Sequence, residues 1–130
     1  MNERNKKVSR ILLVEKDREL ANKLSMAFVD LGYIVSKAQG VFSSFMMARL
    51  KYYAAILVDI EMFGGHGIDV VEYLRKFQPN AVIMVAVPHT NEELVKKLRN
   101  RGIDLLIDKP LKVDVVVNLV NLQKTVNKKI

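Results

Sequence analysis

The chain has 130 residues, half of them hydrophobic, and no cysteine, which excludes a disulfide framework and a thiolate-ligated zinc site within it. That length suits one compact domain burying roughly two-thirds of its unfolded surface. Its 21 Lys and Arg against 14 Asp and Glu give a net charge of +7, and no apolar run approaches a membrane span or signal segment, so a soluble cytoplasmic protein is expected.

Residues 1–7 read as a flexible leader, and residues 8–130 as one domain. Short apolar runs alternate with longer amphipathic stretches, the pattern of a parallel sheet covered by helices on both faces. The first run is Ile11–Val14, and Leu20, Leu24, Phe28 and Leu31 then recur at helical spacing. A weaker strand, Tyr33–Lys37, precedes a second helix whose Phe42, Phe45, Met46 and Leu50 read as core. Ala54–Val58 is the third strand, and Ile68–Phe77 is a helix ending before Pro79. After the strand Ala81–Val87, Thr90 and Glu93 have the spacing of a capping box ahead of Leu94, Val95 and Leu98, with Gly102 as the stop. Leu105–Ile107 is the fifth strand, and Val113, Val116, Val117 and Val120 mark one face of the last helix.

Three basic clusters stand out, at Arg4 to Arg10, Lys96 to Arg101 and Lys124 to Lys129. They read as solvated faces and tails. No aromatic residue is interleaved with them, so a stacking platform for nucleic acid is not expected.

Open parallel sheets bind ligands outside the carboxyl ends of their strands. Those ends carry Glu15, Lys16 and Asp17 after the first strand, Asp59 after the third, and Asp108, Lys109 and Pro110 after the fifth. The two histidines, His66 and His89, lie in loops without metal-ligand spacing, and GGHG lacks the Gly-Lys-Ser/Thr ending of a phosphate-binding loop. Its glycines are expected to supply positive φ.

The series LLVEKD, LVDIEM with GGHG, VIMVAV and GIDLLIDKP resembles the receiver domain of bacterial response regulators over about residues 8 to 125. The resemblance implies a flavodoxin-like, doubly wound (βα)5 fold with strand order 2-1-3-4-5 and five flanking helices. It also implies an aspartyl phosphoacceptor at Asp59, assisted by Lys109 and by magnesium held by Asp59, Glu15 and the Glu61 main-chain carbonyl. A cis peptide before Pro110 is implied as well. The partners implied are a sensor histidine kinase or phosphotransfer protein and a downstream protein, with homodimerisation or effector contacts on the face of helix four, strand five and helix five. There Lys96, Lys97, Arg99 and Arg101 suit an acidic surface.

The chain departs from the family pattern at four places. Lys16 replaces the second of two acids after strand one, removing an oxygen ligand and placing an ammonium where magnesium is expected. Lys16 can instead be read as turning toward Asp59 to neutralise it alongside Lys109, and Asp17 as either a substitute ligand or a helix N-cap. Ala86 and Leu106 occupy the switch positions of a hydroxyl and an aromatic residue, and Phe63 replaces a loop proline, as surface variation or a partner contact.

Three readings follow. One is an atypical receiver that signals by protein–protein interaction with impaired magnesium-dependent phosphorylation. Another is a conventional receiver phosphorylated on Asp59 by a sensor kinase. The remote third, a flavin- or nucleotide-binding flavodoxin-like protein, would want phosphate-cradling amides where EKDREL places carboxylates.

Overall fold

The computed structural model describes residues 9–88, 91–103 and 105–128, with side chains described as far as Gln123. In chain order the elements are β1 (Arg10–Val14), α1 (Arg18–Asp30), β2 (Ile34–Ala38), α2 (Val41–Leu50), β3 (Ala55–Asp59), a 3₁₀ segment (Ile60–His66), α3 (Gly67–Phe77), β4 (Val82–Pro88), α4 (Glu92–Asn100), β5 (Leu106–Lys109) and α5 (Val113–Lys128). All four strand pairings are parallel, and the order is β2-β1-β3-β4-β5, the flavodoxin-like topology expected. The leader, residues 1–7, lies outside the described residues.

Strand periodicity sorts the core into two layers. Leu12, Val14, Ile56, Val58, Val85 and Val87 join the cluster under α2, α3 and α4, while Ile11, Leu13, Ala55, Leu57, Met84 and Ile107 pack with α1 and α5. β3 is buried along its whole length, which is why it reads as an unbroken apolar run. The expected Val113, Val116, Val117 and Val120 face of α5 packs into the second layer.

Several expectations need correction. Leu31 caps α1 and is exposed, because the helix has ended where its periodicity would place that residue inside. Phe42, Met46 and Leu50 also point outward, for α2 packs through Ser44 and Ala48 and thereby lies close to the sheet. Phe63 is a core residue, folded inward by the 3₁₀ segment. The N-cap of α4 is Asn91, whose side chain accepts from the Leu94 amide at 3.0 Å; Thr90 and His89 lie outside the described residues.

Gln78 locks the α2–β3 connection from below. It is buried, donates to the Ala48 and Lys51 carbonyls at 2.7 and 2.6 Å, and accepts from the Tyr53 amide at 3.0 Å. Gln78→Leu strands these groups and is expected to cost about 2–4 kcal/mol, read as a lowered urea midpoint at unchanged slope. A loss below about 1 kcal/mol would show that water replaces the amide.

Candidate functional site

Side-chain alternation builds the site. Glu15 continues the Ile11, Leu13 parity of β1, Asp59 that of Ala55 and Leu57, and Lys109 that of Ile107, so all three belong to the α1/α5 side of the sheet at its carboxyl edge. Asp59 is paired in register with Ala86, and Ala86 with Ile107. Lys109 must therefore reach across β4, and the methyl of Ala86 leaves room for it.

The Asp59 carboxylate is 4 % exposed and fully engaged. Lys109 Nζ donates to Asp59 Oδ1 and Oδ2 at 3.1 and 3.0 Å and to Glu61 Oε1 at 2.8 Å, while the Glu61 amide donates to Asp59 Oδ1 at 3.1 Å. One ammonium thus bridges two carboxylates. Burial works against that charge, but the bonds to Glu61 and Asp59 outweigh it and hold Lys109 above its ordinary pKa.

Glu15 is buried beside Asp59, and its Oε2 accepts from the Asp17 amide at 3.1 Å. Burial raises its pKa; the Asp17 amide bond opposes this, and the nearby Asp59 charge adds to it. Just above the ordinary carboxylate range the folded chain then binds more protons at Glu15 than the unfolded chain, so stability from this group falls as pH rises. Glu15→Gln is expected to flatten that fall and raise the urea midpoint at neutral pH relative to the natural chain, in a series from about pH 4 to 7. Parallel pH profiles for the two proteins would refute it.

The other residues at these strand ends have different fates. Lys16 is exposed and forms no ion pair among the described residues, so the expectation that it turns inward to neutralise Asp59 is corrected: Lys109 does this alone, aided by the Glu61 amide. Asp17 is the N-cap of α1, accepting from the Leu20 amide at 3.1 Å. Ala86 is fully buried, and Leu106 packs partly against the first core layer. His66 is exposed at the end of the 3₁₀ segment. The Glu61 side chain, as opposed to its carbonyl, is the participant that sequence reading overlooked. Its i+2 position from Asp59 in a loop gave no periodic signal.

Two glycines set the shape of the loop. Gly64 takes φ +56, as expected for GGHG, whereas Gly67 is needed for closeness: a Cβ there would lie 2.7 Å from the Ile60 carbonyl oxygen. The Lys109–Pro110 peptide is cis, as the resemblance implies.

A hard divalent cation would find the Glu15 and Asp59 carboxylates and the Glu61 carbonyl. Among the described residues no group of three metal-ligating side chains gathers, and Lys16, where the family pattern has a second acid, is exposed and offers no oxygen. Such a set supplies fewer protein oxygens than the family pattern and would leave the rest of an octahedral magnesium shell to water.

Comparison with known proteins agrees with the geometry. The family model described as response regulator receiver domain matches residues 11–121. A response regulator receiver protein of Anaeromyxobacter is 28 % identical over 110 residues, 85 % of this chain and 46 % of its own length. The transcriptional regulatory protein TctD of Salmonella typhimurium is 33 % identical over 106 residues, 81 % of this chain and 47 % of its own. The chain spans about half the length of these curated relatives. A CheY-like receiver domain structure from Methanospirillum hungatei superposes with a TM-score of 0.84 at 20 % identity, covering 95 % of this chain and 98 % of that one. Among the described residues no helix is long and apolar enough to cross a membrane.

Proposed function

Because the chain belongs to the response regulator receiver domain family, we propose that it is an atypical receiver, with Asp59 at the phosphoacceptor position and an output that runs through protein–protein interaction. The observation that carries this reading is the exposed Lys16 next in sequence to Glu15, one of the two buried carboxylates of the site, the other being Asp59. Phosphoryl transfer to a carboxylate concentrates negative charge on the phosphoryl oxygens, and magnesium ordinarily offsets it. Here Lys109 is the cation in place, and it is already shared between Asp59 and Glu61.

The conventional reading has one observation in its favour, the direct Lys109–Asp59 pair. In that reading an Asp59 oxygen attacks phosphorus, the bond to a kinase histidine breaks, and Lys109 neutralises the oxygens of the acyl phosphate. Intact mass after incubation with a small phosphodonor, with and without magnesium, separates the two. The atypical reading expects at most a trace adduct irrespective of magnesium. A stoichiometric, magnesium-dependent adduct lost in Asp59→Asn would establish the conventional reading instead.

Cytoplasmic signalling, a sensor kinase or phosphotransfer partner, and any effector role like that named for TctD belong to this proposal. The α4 face fits an acidic partner less well than its composition implies, since Lys97 pairs with Glu93 at 3.4 Å and Arg101 with Glu72. Lys96 and Arg99 remain for such a contact.

A further inference from the structure

We propose that the outer face of α2, with its flank on α3, is a docking surface for an acidic amphipathic helix of another protein. Helix α2, VFSSFMMARL, is apolar nearly all round, a composition suited to a helix covered on both sides. Its small residues Ser44 and Ala48 meet the sheet, leaving Phe42 77 %, Met46 40 % and Leu50 68 % exposed at i, i+4 and i+8. Those three form a ridge about 12 Å long on one side of the helix. Tyr52, just beyond it, is 87 % exposed.

Beside the ridge runs an aromatic ladder. Phe45 stacks on Tyr73 with centroids 3.8 Å apart, Tyr73 meets Phe77 at 4.8 Å, and the Arg49 guanidinium lies 5.2 Å from the Phe77 ring centre. Five of the nine aromatic residues, Phe42, Phe45, Tyr52, Tyr73 and Phe77, therefore belong to this region. Along α2, aromatics, Met and Arg without Glu or Asp are the composition of a protein interface core, and the acids of the α3 flank, Asp69 and Glu72, belong to its rim. The Gln78 bonds to Ala48, Lys51 and Tyr53 hold the end of α2 rigidly, so little order must be gained on binding.

Charge selects the occupant. From residue 31 to residue 58 there is no Asp or Glu, and Arg49 and Lys51 flank the ridge without a carboxylate partner among the described residues. A second copy meeting this face through a twofold axis would bring the same cations together without compensating acids from this segment. A lipid surface would want a longer basic edge than two cations supply. An acidic helix satisfies both requirements, laying apolar residues along Phe42, Met46 and Leu50 and carboxylates against Arg49 and Lys51.

The test uses the full chain, ¹⁵N-labelled, titrated with a 20-residue amphipathic peptide carrying a Leu/Phe face edged by Glu, and with its Glu→Lys counterpart. The expected result is that the acidic peptide moves α2 and α3 amide resonances, and that Leu50→Ser and Arg49→Glu with Lys51→Glu each weaken binding at least tenfold. The exposed positions make these variants tolerable to the fold, and unchanged urea midpoints verify it. Equal binding of both peptides, or no binding of either, would overturn the proposal. So would sedimentation showing a dimer broken by the same variants, or phosphatidylglycerol vesicles displacing the peptide.

Discussion

Lys16→Asp is expected to raise magnesium-dependent phosphorylation at Asp59 by at least tenfold over the natural chain. The substitution replaces an exposed ammonium with a carboxylate in the residue next to Glu15, so the local charge changes by two units and an oxygen donor is gained. A tenfold gain requires only about 1.4 kcal/mol of added affinity for the cation, which the exchange of a repelling charge for an oxygen ligand is expected to supply. The fold should tolerate the change, since Lys16 packs into neither core layer and Asp17 keeps its cap on α1. Intact mass with a small phosphodonor measures it, and Asp59→Asn added to Lys16→Asp must abolish the adduct. If natural chain and variant acquire equal, magnesium-dependent adducts, the lysine is a tolerated substitution and the atypical reading fails.

The sheet was legible in the sequence because burial on both faces removes every polar residue from a central strand, and Ala54–Val58 and Ala81–Val87 advertise this directly. The meeting of Asp59 and Lys109 was legible through the resemblance, and side-chain alternation supplies the physical reason. Periodicity gave poorer guidance where a helix is apolar on more than one side. In α2 it could not say which face the sheet would take, and the small residues Ser44 and Ala48 won that place by allowing close approach. Phe63 was obscured for a different reason: a loop has no period, so nothing in EMFGGHG marks which side chain folds inward. Lys16 lay within reach of two destinations on sequence grounds. Glu61 and Lys109 complete the Asp59 shell without it, and solvation keeps its ammonium outside.

Lys109→Met is expected to destabilise the natural chain by about 2–3 kcal/mol at neutral pH, toward the low end for a broken buried pair because the lysine side chain retains some solvent. The asymmetry of the site causes the loss. With the ammonium present, Glu15, Asp59 and Glu61 are opposed by one positive charge; without it, two buried carboxylates face each other with only the Asp17 and Glu61 amides for support. Asp59→Asn placed on Lys109→Met removes one of those charges and should recover at least about 1 kcal/mol, a coupling well above that of independent sites. The cost should also shrink on acidification, since protonated carboxyls no longer need the cation. Urea midpoints for the natural chain, both single variants and the double variant, at neutral and mildly acidic pH, give the whole cycle. Additive, pH-independent losses would mean that Lys109 acts by packing its methylenes over Ala86, and that the charge balance drawn for this pocket is wrong.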